Sequence, residues 1–371
     1  MKVSHIKLMD FRNYHHLDIN LSPTINIFIG NNAQGKTNIL ESVYYGAAGN
    51  TYRGNTDNEL INWQAQGARI SLTFDRLEVE NKLDFTFQRD KRRLIEYNGQ
   101  KIAPKNLIGA INVVLFAPDD LLLIKGAPAG RRHFLDMEIS QASPGYYREL
   151  MKYNHLLQQR NVLLKKIRER KENRNMLEMW NYQLAESAAK ITTKRLETVQ
   201  KLNMLANLMQ RRISGNLENL SLEYQIKGAE NHELAKDLKL WYNEMINSLT
   251  EEDVFRGSTS VGPHRDDLII SINGVNLKSF GSQGQQRTGV LALKLSELEF
   301  IRSETGEYPI LLLDDVMSEL DLQRRQQLLD FINREKIQTL ITATDEAYFV
   351  ANNLKNYFRV AQGQVTLENK A

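Results

Sequence analysis

INIFIGNNAQGKTNILES (Ile25 to Ser42) begins as an apolar run, breaks into a polar loop bounded by glycines, and resumes with helix-forming residues. Within it GNNAQGKT, Gly30 to Thr37, satisfies G-x-x-x-x-G-K-[ST] in the context that motif requires, a buried strand before it and a helix after. In such a loop the backbone N–H groups of Gly30, Asn31, Asn32, Ala33, Gln34 and Gly35 curl around phosphate oxygens, and the following helix turns its positive end toward the same anion. Lys36 would reach the β- and γ-phosphates and Thr37 would ligate Mg²⁺, so ATP with Mg²⁺ is the expected ligand pair. A chance match in a turn is the alternative, and the strand–loop–helix order argues against it.

A phosphate loop needs a partner strand that delivers acids. ILLLDD, Ile310 to Asp315, supplies four apolar residues ending in two carboxylates, the form of a buried central strand whose carboxyl end faces the ligand. Asp314 would hold Mg²⁺, directly or through water, and Asp315 would act as the general base that polarises the attacking water. Shortly upstream, GSQGQ (Gly281 to Gln285) leads into a good helix pattern. A serine hydroxyl, free backbone N–H groups and a helix N-terminus make a second anion cradle. An N-cap followed by a solvated loop would read the same way.

The surrounding chain is ordinary for a soluble globular protein. It has 371 residues, 42% hydrophobic and 25% charged, with a net charge of +3. No apolar run approaches the roughly 20 residues of a membrane span, and MKVSHIKLMDFRNY lacks the pattern of a secretion signal. The absence of cysteine removes disulfides, thiolate catalysis and Cys-ligated zinc, and suits a reducing cytoplasm. The seven histidines show no metal spacing.

Strand-like patterns occupy His5 to Leu8, Ile19 to Leu21, Thr24 to Ile29, Ile70 to Ile102 and Ile111 to Pro118, with a hairpin signal at Asn98-Gly99. Between about Pro144 and Ile213 apolar residues recur at helical spacing, interrupted by KENRN (Lys171 to Asn175), which predicts an antiparallel helical hairpin or small bundle. Strands return at Leu220 to Ile226 and Asp267 to Ile272, and again at Pro309 to Asp315 and Thr339 to Thr344. The fold class is α/β, with one discontinuous domain carrying a helical insertion.

The phosphate loop, acidic strand and Ser-Gly-Gln helix start together resemble the ATP-binding-cassette ATPases, whose L-S-G-G-Q signature opens a helix. Ser282, Gly284 and Gln285 match that signature; Gly281 and Gln283 depart from it. The resemblance implies that Ser282, Gln283, Gly284 and Gln285 cap the γ-phosphate bound by a second copy, and that Ser318 and Asp321 of SELD form the D-loop at the dimer seam. No glutamine stands at the Q-loop, where the chain reads APDDL, and no histidine follows ITATD. DFRNY, GNNAQGKTNILES, VLFAPDDL, KGAPAGRRHFLD, VGPHRDDL and GSQGQQRT narrow the likeness to the RecF family of bacterial recombination-mediator ATPases. That implies a mixed sheet flanked by helices with an antiparallel β subdomain, 1–125 and 253–371, and a mainly helical inserted lobe, 126–252. It also implies a weak, DNA-stimulated ATPase that dimerises on ATP and binds DNA at single-strand gaps and duplex–single-strand junctions. Its partners would be RecO and RecR, its place the cytoplasm, and its work recombinase loading, fork recovery and SOS induction. A transporter ATPase subunit or a chromosome-organising protein is the competing class. The first is disfavoured by the basic insertion and missing Q-loop glutamine, the second by the absence of long heptad arms.

For DNA the chain carries its own signal. Residues 151–174 hold eight Lys or Arg against two Glu, and RDKRR (Arg89 to Arg93) sits between strand-like runs. Lys165, Lys166, Arg168, Arg170, Lys171, Arg92 and Arg93 are the candidate phosphate contacts, giving sequence-independent, salt-sensitive binding. A solvated helix face and a charged turn would look alike. Arg12 lies near the loop in sequence and is a candidate nucleotide contact, while His264 and Arg265 either bind phosphate or, as the favoured reading, pair with Asp266 and Asp267 to fix a strand entry. Trp180, Tyr182, Trp241 and Tyr242 read as packing.

Overall fold

The strand that feeds the phosphate loop, Ile25–Ile29, is buried at every position. In the computed structural model, which describes residues 1–54, 56–229, 237–349 and 356–368, it lies within a six-stranded mixed sheet. The order is Gln364–Glu368, Asn356–Ala361, Ile25–Ile29, Thr339–Ala343, Ile310–Asp314, Val113–Phe116, all neighbours parallel except the first pair. Parallel strands covered on both faces need continuous apolar runs, and INIFI and ILLLD supply them. Because these strands run the same way, Gly30, Asp314 and Thr342 emerge at one carboxyl edge.

A second six-stranded sheet is antiparallel throughout: Tyr14–Asn20, Lys2–Phe11, Gly67–Arg76, Val79–Gln88, Leu94–Tyr97, Gln100–Lys101. The expected Asn98-Gly99 hairpin is present, both residues at positive φ as a type I′ turn requires. The helix after the loop, Lys36–Ala48, buries ten residues of its thirteen. Ile39, Leu40, Val43 and Tyr45 join one core with Phe28, Leu312 and Leu340 of the mixed sheet and Leu8, Leu72 and Phe85 of the antiparallel one. With most of its circumference buried, the loop's own helix is wedged between the two sheets, which fixes its first turn.

These elements form one compact unit, Met1–Asp120 with Lys294–Ala371; Leu121–Leu293 form another. In the second unit the helices Pro128–Ala142, Pro144–Arg168, Leu177–Ile213 and Leu238–Ser248 pack through Ile139, Tyr153, Leu156, Leu184, Ile191 and Ile246. Ala185, Ala188 and Ala189 lie in that core and leave room for the neighbouring helices. A three-stranded antiparallel sheet, Val275–Asn276, Asp267–Ile272, Leu220–Gln225, completes it.

The insertion is larger than its helical periodicity suggests. The division falls after Asp120 and after Leu293, where the sequence suggested 125 and 252. Asp267–Ile272 pairs with Leu220–Gln225, so the strand expected to return to the ATPase head stays with the helical unit. The helix Gln283–Thr305 then carries the chain back.

Candidate nucleotide site and its acidic strand

Lys36 opens the helix, and its Nζ donates to the carbonyls of Gly30 at 2.7 Å and Asn31 at 3.0 Å. The ammonium is thus folded into the loop it serves. Burial lowers its pKa, opposed by the charges of Asp315 and Asp314. Gly35 sits at φ 113°, where a side chain would strain, and a Cβ there would meet Asn13 Nδ2 at 2.6 Å. Tyr14 donates its hydroxyl to Gly35 O at 3.1 Å, and Asn13 Nδ2 donates to Gln34 O at 2.9 Å. Gln34 Oε1 accepts from the Gln362 N–H at 2.6 Å, tying the loop to the Asn356–Glu368 hairpin. Asn31, Asn32 and Ala33 are exposed at its tip.

The structure brings the two halves of the expected site together. Thr37 Oγ1 donates to Asp314 Oδ1 at 2.9 Å, across 277 positions of sequence. Asp314 also accepts from Thr342 Oγ1 at 2.9 Å and, on its other oxygen, from Tyr52 Oη at 2.9 Å. Asp315 stands at φ 57° with its N–H donated to Thr342 Oγ1 at 2.9 Å. Its Oδ1 is buried without a hydrogen-bond partner. Buried polar atoms are normally satisfied, so this oxygen has spare acceptor capacity beside the loop. A hydroxyl, two carboxylates and a lysine suit a hard cation and a polyphosphate.

Three of these residues carry no local motif. Tyr52 and Thr342 reach Asp314 only through the fold, and Glu41 is fully buried in an ion pair with Arg12. That arginine forks onto Glu41 at 2.7 and 2.9 Å and donates to Glu59 O at 3.1 Å. Its guanidinium is therefore engaged in holding the helix to the antiparallel sheet, and the nucleotide contact expected for it would compete with that pair.

The signature segment lies in the second unit. Ser282 Oγ accepts from the Gln285 N–H at 3.2 Å while Gln285 Oε1 accepts from the Ser282 N–H at 3.1 Å, a reciprocal capping box. Gln285 Nε2 donates to Glu218 Oε1 at 3.0 Å. Ser282, Gln283 and Gly284 are exposed, and a Cβ on Gly284 would meet only Ser282 Oγ, at 3.9 Å. In the first unit, Ser318 Oγ donates to Asp315 O at 2.8 Å, and Asp321 caps the helix Leu322–Glu335 by accepting from the Arg324 N–H at 2.9 Å.

The basic clusters are partly spent. Arg160 is fully buried, donating to Asn181, Asp253 and Thr259, so it belongs to the core of its unit rather than to a charged face. Lys166 pairs with Glu172 at 3.6 Å and Lys171 with Glu169 at 2.7 Å, while Lys165, Arg168 and Arg170 are exposed. Arg93 is tied to Asp57 at 3.1 Å and lies over the Tyr45 ring; Arg92 is exposed. His264 and its neighbours are held in structural contacts, but not in the pairs expected from sequence: Arg265 donates to Thr259 O at 3.0 Å rather than to Asp266 or Asp267. Tyr153 Oη stands 2.6 Å from His264 Nδ1, Asp266 accepts from Tyr224 Oη at 2.8 Å, and Asp267 takes a bidentate pair from Arg131 at 2.7 and 2.8 Å.

The chain is similar to known proteins along nearly its whole length. The model of the RecF/RecN/SMC N terminal domain matches residues 2–366. The DNA replication and repair protein RecF of Halothermothrix orenii is 43% identical, covering 99% of each chain. That of Clostridium beijerinckii is 42% identical over 98% of each. Among solved structures, the recombination mediator protein RecF with ATP, in the RecFOR pathway, superposes with a TM-score of 0.90 at 33% identity, covering 99% of this chain and 97% of that one. The Smc head domain of Pyrococcus furiosus, at 16% identity and a TM-score of 0.58, shares the fold.

Proposed function

This chain belongs to the RecF family, and from that premise we propose that it is an ATP-driven, DNA-binding switch of recombinational repair. The carrying observation is the Thr37–Asp314 hydrogen bond beside the unpartnered Asp315 Oδ1, which assembles hydroxyl, metal carboxylate and base around the loop that ends in Lys36. A RecF relative is known with ATP bound, and the same reading is extended to this chain. Thr37 and Asp314 would hold Mg²⁺, which supplies charge neutralisation on the phosphates when bound. Lys36 neutralises the phosphates from inside the loop, and Asp315 accepts a proton from the attacking water.

The signature segment exposes Ser282, Gln283 and Gly284 at a helix start, and we read it as a cradle for the triphosphate held by a second copy, reached by opening the capping box. ATP binding would close two copies face to face around DNA at gaps and duplex–single-strand junctions, and slow, DNA-stimulated hydrolysis would release them. Partners of the RecO and RecR type, recombinase loading, fork recovery, SOS induction and a cytoplasmic setting follow from the family reading. Family membership sets aside the transporter alternative.

The test is the size of the protein by light scattering with ATP, with ADP and with neither, for the parent and for Asp315→Asn. A dimer in ATP alone, prolonged in Asp315→Asn because hydrolysis is slowed, supports the switch. An Asp315→Asn protein that binds ATP yet stays monomeric overturns it.

A further inference from the structure

Trp63 is 95% exposed, although nothing in the fold needs an indole in water. The turn that carries it is not loose. The Asn62 N–H donates to Asp10 O at 2.7 Å and the Ala65 N–H to Asn62 O at 3.0 Å. Asn62 Nδ2 donates to Arg12 O at 2.8 Å, and Asn62 Oδ1 accepts from the Gln64 N–H at 3.0 Å. Arg89 clamps the turn from the far side, its Nε on Ala65 O at 3.0 Å and Nη2 on Asn62 O at 3.1 Å. An aromatic side chain presented on so constrained a backbone loses little entropy when something lands on it.

The surroundings say what could land. The clamp of Arg89 uses carbonyl oxygens, so its positive charge is left uncompensated. Lys91 and Arg92, which follow Arg89 in the turn after Val79–Gln88, are exposed and pair with no carboxylate among the described residues. Of the acids nearby, Asp84 pairs with Arg69 at 3.0 Å, while Asp10 meets His15 at 3.2 Å and Asp90 the Asn58 amide at 3.2 Å, so Arg89, Lys91 and Arg92 stand against two carboxylates. Beside the turn runs an open groove whose lining includes Met9, Asp10, Gln66, Arg69, Arg89 and Lys91. Its floor is the outer face of the antiparallel sheet, where Met9 and Arg69 are cross-strand partners. A protein partner would be met by an apolar surround, whereas here Arg89 holds the turn that carries the indole and Lys91 and Arg92 follow it in sequence.

We propose that Trp63 is a stacking platform for an unpaired base, with Arg89, Lys91 and Arg92 receiving the phosphates of a single-stranded DNA segment that continues along the groove. An indole face is a partner for a base that has left the duplex stack, and cations on either side hold a backbone without reading sequence. The proposal rests on the DNA-binding reading above and adds to it the strand that is bound and where.

The experiment uses the full chain with oligo(dT) of about 12 nucleotides and a blunt duplex of equal length, at low salt, by fluorescence anisotropy. Trp63→Ala is expected to weaken oligo(dT) binding about five- to a hundredfold, to leave the duplex nearly unchanged, and to remove most of the tryptophan quenching that oligo(dT) causes in the parent. Trp63→Phe should restore much of the affinity. Lys91→Ala with Arg92→Ala should flatten the salt dependence by about 0.7 per lost contact. Equal affinity of Trp63→Ala and parent for oligo(dT) overturns the platform alone, as does an equal loss on the duplex or an effect confined to protein–protein association. A parent that binds neither DNA removes the DNA-binding reading itself.

Discussion

Asp314 accepts three hydroxyl protons, from Thr37, Thr342 and Tyr52. With its proton committed to the carboxylate, Thr37 Oγ1 turns its lone pairs away from Asp314, the orientation a metal ligand needs. Tyr52 fixes the opposite oxygen, and burial together with the Asp314 charge pushes its pKa up, so it remains a donor. Outer partners of this kind commonly govern metal affinity by about ten- to a hundredfold. Tyr52→Phe keeps the ring against Tyr44 and deletes only the donor. The half-saturating Mg²⁺ concentration for tight nucleotide binding, followed with a fluorescent ATP analogue, is expected to rise about tenfold, with Mg²⁺-free nucleotide affinity unchanged. An unaltered Mg²⁺ dependence would remove Tyr52 from that role. Lys36, Thr37, Asp314 and Asp315 are readable in the sequence because each sits in a run whose spacing has a chemical reason. Tyr52 was not, since its contact spans 262 positions and no local pattern marks a tyrosine that will meet a distant carboxylate.

At the scale of elements, the turns show the same divide. Asn98-Gly99 and Asn273-Gly274 announce their hairpins because those residues tolerate positive φ, whereas Leu77-Glu78 makes a comparable turn, at φ 49° and 63°, that nothing in its composition suggests. Hydrogen bonding of the flanking strands, Gly67–Arg76 with Val79–Gln88, pulls the chain through it. The sequence offers two readings of the helix start at Ser282, N-cap and anion cradle, and the structure shows the first as a capping box. That cap complicates the obvious substitution: Ser282→Ala loses about 1 kcal/mol of helix stability along with any contact to phosphate. Ser282→Asp separates the two. Aspartate is as good an N-cap as serine and favours the helix dipole, yet its charge would repel a triphosphate. Thermal stability and ATP binding to the phosphate loop are expected to hold while ATP-driven dimerisation, read by light scattering, is lost. Dimerisation at the parental level would show that the signature meets no phosphate.

Across the whole molecule, periodicity revealed a helical insertion but not its extent, because the sheet of Leu121–Leu293 is closed by hydrogen bonds between strands about 45 positions apart. What fills that unit is also unusual: Arg160 and Arg195 are among its largest fully buried side chains. Arg195 forks onto Asp136 at 2.8 and 2.9 Å and donates to Tyr224 Oη at 2.9 Å and Pro263 O at 2.6 Å. Within this polar core two groups have shifts that fall in the acid range. Burial pushes His264 down to about 4 and Asp266 up to about 6. The neutral imidazole is favoured by folding, so His264 withdraws stability as pH falls below its unfolded value of 6.5 toward 4. The protonated carboxyl is favoured too, so Asp266 withdraws stability as pH rises from 3.8 to about 6. Between pH 4 and 6 the two slopes oppose each other, each worth roughly 3 kcal/mol over its full window. Asp266→Asn removes one of them. Its oxygen and amide can still meet Tyr224 or the Lys227 N–H, which sets a constant offset, but it cannot titrate. Measured by urea unfolding from pH 4 to 7, the variant should gain on the parent by up to about 3 kcal/mol, nearly all of it below pH 6.5, where the His264 slope is left unopposed. Stability curves that stay parallel across that range would mean that Asp266 is ionised in the folded protein throughout, and that Tyr224 and Lys227 compensate its burial in full.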